Sequence, residues 1–167
     1  IRDRIIRENG GEPVRTRVGH SFIKAKMAET NAVFGGEHSA HYYFRDFWRA
    51  DSGMLAAMHV LAALGQQDKP LSEMMAKYNR YAASGEINSR LDSAEAQADR
   101  TEAVAKAFAD RAENVDRLDG VTVELKDGNW FNVRASNTEP LLRLNVEADT
   151  QEAVDALVKE ILAIIRA

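Results

Sequence analysis

Cysteine is absent from the 167-residue chain, and charge of either sign is not in large excess, since the net charge is -4. The lack of cysteine excludes disulfide frameworks and thiolate metal sites, and it suits a reducing, cytoplasmic setting. The mildly acidic balance provides no basic face of the kind that nucleic-acid binding usually needs. No apolar run approaches the roughly 18 residues that cross a bilayer. We therefore expect neither a nucleic-acid partner nor a membrane.

The pattern of apolar residues divides the chain near residue 83. The part before it (residues 1–82) predicts an incomplete mixed α/β domain, with helices at about 1–9, 21–30, 51–64 and 71–81 and strands at 12–18, 32–34 and 42–44. The small, polar segment 82–86 predicts a linker or hinge. A helical pattern starts at the first residue, so we expect the chain to be the C-terminal part of a longer protein.

The second part (residues 83–167) predicts an α+β domain with the order β-α-β-β-β-α. The expected strands are 87–91, 121–125, 130–133 and 142–147, and the expected helices lie within 94–112 and 150–166. Asp127-Gly128 is a strong hairpin signal, and Asp149 and Glu152 are suited to cap the last helix. This order predicts a four-stranded, mostly antiparallel sheet with helices on one face.

The segment Gly35-Gly-Glu-His-Ser-Ala-His41 is the first candidate for a site. The Glu37 carboxylate can accept bonds from two vicinal sugar hydroxyls, and Ser39 and the histidines can donate or accept others. An ordinary polar turn explains the same residues. A metal site made by Glu37, His38 and His41 is a further alternative, but it lacks a distal ligand on a rigid element.

The second candidate is the segment Arg134-Ala-Ser-Asn-Thr-Glu-Pro140, between two predicted strands. Arg134 offers a planar fork suited to phosphate, the Ser136 and Thr138 hydroxyls add donors, and consecutive backbone N–H groups can form an anion nest. An Asn-centred turn with a solvated arginine is the alternative interpretation.

Three segments together resemble the α-D-phosphohexomutase superfamily. Gly-Glu-His-Ser-Ala-His is similar to its sugar-discriminating loop, although Ala40 stands where glycine is usual. Arg-Ala-Ser-Asn-Thr-Glu-Pro is similar to the phosphate-binding loop of its fourth domain, and Gly19-His-Ser-Phe-Ile-Lys24 matches a third family segment. On these motifs the chain is identified as the end of domain three (1–82) plus domain four (83–167), of the phosphomannomutase/phosphoglucomutase kind.

The resemblance implies an intramolecular phosphotransferase that interconverts hexose 1-phosphates and 6-phosphates through a phosphoserine enzyme and a bisphosphorylated sugar. It implies Mg²⁺ and an activator of the glucose 1,6-bisphosphate type. It also implies the following roles: sugar binding by Glu37, Ser39 and His41; proton transfer by His20 or His41; and binding of the non-reacting phosphate by Arg134, Ser136, Asn137 and Thr138.

Two family hallmarks are missing from this sequence. It contains no Ser-His-Asn-Pro segment for the phosphoserine, and Asp119-Gly120 and Asp127-Gly128 lack the further aspartates of the magnesium loop. The resemblance places both in upstream domains one and two, so we expect the chain alone to be inactive. A phosphoglucosamine mutase fragment and a non-catalytic module for phosphosugars or other anions are the alternatives. RNA binding by the sheet is disfavoured by the pI of about 5.6.

Overall fold

The computed structural model describes residues 2–136 and 139–167. The chain divides into two compact units, one ending at Asn79 and the other running from Arg80 to Ala167. Asn137 and Thr138, two of the predicted phosphate-binding residues, lie outside the described residues. Within the described ranges, no helix is both long and apolar enough to cross a membrane.

The first unit combines helices with a small antiparallel sheet of order β1-β2-β3. Its elements are α1 (Arg2–Glu8), α2 (His20–Thr30), β1 (Phe34–Gly36), β2 (Tyr42–Phe44), β3 (Ala50–Asp51), α3 (Gly53–Leu64) and α4 (Leu71–Ala76). Ile23 and Met27 of α2 form a small core with Tyr43 of β2. A Cβ at Gly35 would lie 3.1 Å from both of the α2 side chains, so glycine lets β1 pack closely against that helix.

The structure corrects three predictions in this unit. Residues 12–18 are not a strand; a strand needs a neighbour to accept its backbone hydrogen bonds, and none of the described strands pairs with this segment. The strand predicted at 32–34 instead begins at Phe34 and includes both following glycines. The last helix ends at Ala76 rather than near residue 81.

The second unit places two helices against one face of an antiparallel sheet. Its elements are β4 (Ala82–Ala83), β5 (Ile87–Arg90), α5 (Ala94–Ala107), β6 (Ala112–Asp116), β7 (Val121–Leu125), β8 (Trp130–Ala135), β9 (Leu141–Ala148) and α6 (Gln151–Ile165). The order is β4-β9-β8-β7-β6, and β5 also pairs with β9. Alternate residues of β9 are buried, and they pack with α5 and α6 in one hydrophobic core.

The predicted mixed α/β class is confirmed, but the sheet of the second unit has six strands rather than four. The sequence pattern missed β6 because Ala-Glu-Asn-Val-Asp has no alternation of apolar and polar residues, and its Val115 is 40% exposed. It missed β4 because Ala82 and Ala83 fall in the predicted linker. Both pair with β9, and the Ser84 N–H donates to the Val146 carbonyl at 2.9 Å. The linker prediction is therefore wrong for residues 82–84.

Candidate functional site

A cavity of about 440 Å³ lies in the first unit beside the start of α2 and the three short strands. Seven of its nine lining residues carry polar or charged side chains; the nine are Gly19, His20, Lys24, Glu37, Ser39, His41, Tyr43, Ala50 and Asp51. Two segments that are separate in the sequence thus meet at one cavity: the Gly19–Lys24 segment and the Glu37–His41 loop. Predicted site residues His20, Glu37, Ser39 and His41 all belong to this lining.

The Glu37–His41 loop is closed by its own backbone. The Glu37 N–H donates to the His41 carbonyl at 2.9 Å, and the Ala40 N–H donates to the Glu37 carbonyl at 3.1 Å. Ala40 adopts φ 65°, in the left-handed region. Glycine occupies that region without strain, whereas a side chain there costs on the order of 1 kcal/mol. Alanine at position 40 therefore allows the same turn with a modest conformational free-energy penalty relative to glycine.

Tyr43 holds the Glu37 carboxylate in place from the core of the unit. Tyr43 is 2% exposed, and its hydroxyl donates to Glu37 Oε1 at 2.5 Å. Burial, followed by the bond to the carboxylate, raises the pKa of the Tyr43 hydroxyl above its ordinary value, so the group stays a donor. One carboxylate oxygen of Glu37 is thus committed to Tyr43, while the other remains for a ligand in the cavity.

Asp51 makes the corresponding contact to His41. The His41 Nδ1 lies 2.6 Å from Asp51 Oδ2, and both side chains are about half exposed. This hydrogen bond, reinforced by the nearby carboxylate charges, raises the pKa of the His41 imidazole. A carboxylate on Nδ1 also fixes the ring orientation and leaves Nε2 for a ligand.

The remaining histidines differ in their surroundings. His20 begins α2, directly after Gly19 in a glycine-favoured conformation with φ 129°, and lines the cavity with Lys24 of the same helix. His38 is exposed and outside the cavity lining. His59 of α3 stacks on Phe44 with ring centroids 5.3 Å apart.

The second candidate segment lies at the end of β8 in the second unit. The Ser136 N–H donates to the Leu141 carbonyl at 2.8 Å, which closes the base of the turn. Arg134 is largely covered, with 14% of its side chain exposed, and its contacts are loose: Nε lies 3.8 Å from Asp119 and Nη2 lies 3.9 Å from Glu86. Both separations exceed hydrogen-bond length, so the guanidinium retains donors for an anion.

The two Asp-Gly pairs are engaged in other contacts in the described part of the chain. Asp119 faces Arg134, and Asp127 accepts a bond from the backbone N–H of Asn129 within its turn. Over residues 2–136 and 139–167, no three His, Asp or Glu side chains are grouped so as to hold a metal ion.

Comparison with known proteins follows the division into two units. A family model described as phosphoglucomutase/phosphomannomutase, alpha/beta/alpha domain III, matches residues 1–81, and the model of the C-terminal domain matches residues 86–164. The chain belongs to the phosphoglucomutase/phosphomannomutase family. The resemblance of the three sequence motifs to this superfamily is thereby confirmed.

Family members with curated names or solved structures are similar over almost the whole chain. A phosphomannomutase of Escherichia coli is 41% identical over 97% of this chain and 35% of its own length. A phosphomannomutase of Methanocaldococcus jannaschii is 41% identical over 96% of this chain and 34% of its own length. A family protein from Burkholderia thailandensis superimposes with a TM-score of 0.78 at 31% identity, over 98% of this chain and 35% of that one. The chain thus spans about a third of the length of these relatives.

Sequence reasoning missed the residues that support the site. Tyr43 lies in the strand predicted at 42–44, whereas Asp51, predicted as the first residue of a helix, lies in β3. Their contacts to Glu37 and His41 depend on how β1, β2 and β3 pair. Glu86 was assigned to a linker, yet it lies beside Arg134.

Proposed function

We propose that the chain is the sugar- and phosphate-recognising part of a phosphohexomutase that acts on hexose phosphates, as a phosphomannomutase/phosphoglucomutase. The observation that carries this proposal is the cavity of the first unit, in which His20, Glu37, Ser39 and His41 line one space. Family membership and relatives named phosphomannomutase support the same reaction class.

Glu37 and Ser39 are proposed to bind the ring hydroxyls. An ionised carboxylate only accepts hydrogen bonds. Oε1 of Glu37 already accepts one from the Tyr43 hydroxyl, so Oε2 favours a ligand group that donates a hydrogen bond. Ser39 is exposed at the cavity and both donates and accepts. This combination suits vicinal hydroxyl groups, which present donors and acceptors side by side.

His41 is proposed to act through Nε2 as a hydrogen-bond donor or proton carrier. The Asp51 bond raises the pKa of the imidazole, so a larger share of His41 is protonated near neutral pH. A protonated ring donates through Nε2 to a hydroxyl or phosphate oxygen. After that proton is transferred, the bond to Asp51 keeps the remaining proton on Nδ1, so Nε2 is an acceptor that can take a proton from another ligand hydroxyl. His20 is the second candidate for this task.

Arg134 and Ser136 are proposed to bind the phosphate group that does not react, together with Asn137 and Thr138. A planar guanidinium with unused donors matches two phosphate oxygens at once. Mg²⁺ ligands, the phosphoserine and a bisphosphorylated activator remain proposals for upstream domains one and two of the same protein.

Kinetics of the full-length protein test this function. We expect turnover of mannose 1-phosphate and glucose 1-phosphate, and Arg134→Ala is expected to weaken substrate binding by about 1.5–3 kcal/mol, the typical value of a charged hydrogen bond. A clear preference for glucosamine 1-phosphate would instead identify a phosphoglucosamine mutase. Binding without turnover of any of the three sugars would favour the non-catalytic module.

The binding module is retained as the second candidate for a specific reason. The sequence contains neither a Ser-His-Asn-Pro segment nor an Asp-Gly-Asp-x-Asp-Arg loop. We propose that ligand recognition is what these residues contribute, through the cavity of the first unit.

A further inference from the structure

Two carboxylates and two hydrogen-bond donors share one face of the small sheet in the first unit. Tyr43 of β2 lies opposite Asp51 of β3 in the antiparallel register, and residues paired in this way project from the same face. The bond from the Glu37 N–H to the His41 carbonyl continues the β1–β2 ladder by one pair, so these two residues are also opposite each other. Because His41 and Tyr43 are two residues apart on one strand, all four side chains lie on the face that borders the cavity.

The hydrogen bonds on this face are crossed with respect to the register. The Tyr43 hydroxyl donates to Glu37 Oε1 at 2.5 Å, although Asp51 is its partner in the strand pairing. His41 Nδ1 lies 2.6 Å from Asp51 Oδ2, although Glu37 is opposite His41 in the loop. Each carboxylate therefore takes its donor from the other pair. A contact between Glu37 and its direct neighbour His41 is the alternative arrangement of the same groups.

The alternative contact would be an ion pair inside the cavity. Lys24 and His20 of α2 also line this space. The bond to Asp51, with a smaller contribution from the Glu37 charge, raises the pKa of the His41 imidazole and so favours its charged form. A carboxylate without another partner is attracted to such a cation, more strongly in a partly enclosed cavity than in open water. The pair would use both Glu37 Oε2 and His41 Nε2, the two atoms left for a ligand.

Tyr43 is held rigidly in the position that opposes this pairing. It is 2% exposed, and its ring packs with Ile23 and Met27 of α2 in the small core of the unit. The ring therefore does not follow the Glu37 side chain when that side chain moves. Burial, followed by the bond to Glu37, raises the pKa of the Tyr43 hydroxyl, so the group stays a donor. The Glu37 carboxylate thus has a fixed donor on the side of the core.

We propose that Tyr43 is a positioning residue that prevents Glu37 from forming an ion pair with His41, and that it thereby keeps both groups available to the sugar before the ligand binds. This inference rests on the proposed function of Glu37 and extends it to a residue outside the Gly-Glu-His-Ser-Ala-His segment. Tyr43 acts through Glu37 and is assigned no bond to the ligand. Without its hydroxyl, a sugar hydroxyl has to displace the ion pair in order to bind.

The test compares Tyr43→Phe with Tyr42→Phe in the full-length protein. Both changes remove one hydroxyl from β2 and keep the ring. Tyr42 is the matched control because it is outside the cavity lining and stacks on Phe34, with ring centroids 6.2 Å apart. Calorimetry with glucose 1-phosphate, without added Mg²⁺, measures the affinity. Tyr43→Phe is expected to weaken binding about tenfold, since a hydrogen bond to a charged group is lost, and Tyr42→Phe is expected to leave it unchanged.

NMR titration of the His41 ring in the same proteins separates positioning from a purely structural role. In Tyr43→Phe the released Glu37 carboxylate approaches the imidazolium, so the pKa of His41 is expected to rise further. When Tyr43→Phe is combined with Glu37→Gln, no carboxylate is released, and the rise relative to Glu37→Gln alone is expected to disappear. Loss of the signal in His41→Gln assigns it. Backbone amide spectra establish that each variant is folded.

Opposite outcomes overturn specific statements. A His41 pKa that stays constant or falls in Tyr43→Phe would refute the proposed positioning, and so would equal effects of Tyr43→Phe and Tyr42→Phe on affinity. Weaker binding in Glu37→Gln but not in Tyr43→Phe would mean that Glu37 recognises the ligand without Tyr43. Unchanged affinity in Glu37→Gln would overturn the sugar-binding role proposed for Glu37, and the role of Tyr43 would fall with it.

Discussion

Gly120, in the turn that leads into β7, is the position at which we expect one methyl group to be most damaging. Its φ is +69°, and a Cβ built on it would lie 2.2 Å from the Val133 carbonyl oxygen and 2.8 Å from the Arg134 Cα. Both are backbone atoms of β8, which is held on either side by β7 and β9. To make room for the methyl group, β8 would have to move, and this would shift the buried Val133 and Arg134 of the candidate phosphate site.

The magnitude follows from two separate costs. Alanine in the left-handed region costs about 1–2 kcal/mol, and forcing an extra carbon into a packed structure costs about 1–3 kcal/mol. We therefore expect Gly120→Ala to lower the free energy of unfolding of the second unit by about 2–5 kcal/mol. Gly128→Ala is the matched control: Gly128 has φ +87°, but no atom lies within 4 Å of its Cβ position, so only the first cost applies.

Urea denaturation followed by tryptophan fluorescence measures the difference. Trp130 lies in β8 of the second unit, whereas Trp48 lies in the first unit and is 80% exposed. A Trp48→Phe background makes Trp130 the only reporter, so the transition belongs to the second unit. Equal losses of stability in Gly120→Ala and Gly128→Ala would refute the steric argument and leave only the backbone conformation as the cause.

Three other predictions concern the cavity and the reaction. Asp51→Asn is expected to lower the pKa of His41 toward its ordinary value, so that the imidazolium is lost at lower pH. NMR titration of the His41 ring protons measures this, and an unchanged His41 pKa would contradict the assigned pairing. Glu37→Gln is expected to weaken hexose phosphate binding in calorimetry, whereas His38→Gln, outside the cavity lining, is not; equal effects would refute the sugar-loop assignment. The isolated chain is expected to show no conversion of glucose 1-phosphate in a coupled assay, and magnesium-dependent turnover would overturn that expectation.

The local sequence pattern correctly predicted those elements whose structure depends on their own residues, such as amphipathic helices and tight turns. The apolar spacing of α6 buries Val154, Leu157, Ile161 and Ile165 on one face, as the helical period requires. The Asp127-Gly128 signal correctly located the β7–β8 hairpin, because a tight turn needs a residue with positive φ. The N-cap of α6 lies one residue later than predicted, because the hydroxyl of Thr150 rather than the carboxylate of Asp149 accepts the hydrogen bond from the Ala153 N–H.

Elements that depend on distant partners were not predictable in this way. Strand β6 has no alternating pattern of its own and exists because its backbone pairs with β7. The segment 12–18 shows the reverse case, since it has the alternation but no described strand beside it. Hydrogen bonding between strands, which the sequence does not encode locally, decided both outcomes.

For the candidate site, the sequence by itself determined which chemical groups are present and, through the motifs, the family to which the chain belongs. Only the tertiary structure decided how those groups are held. It placed Tyr43 on Glu37, Asp51 on His41, and one oxygen of Glu86 between Arg134 and Arg143. These pairs are 6 to 57 residues apart along the chain. Strand pairing brings them together, and electrostatic contact at 2.5–3.9 Å then sets the donors and acceptors available to a ligand.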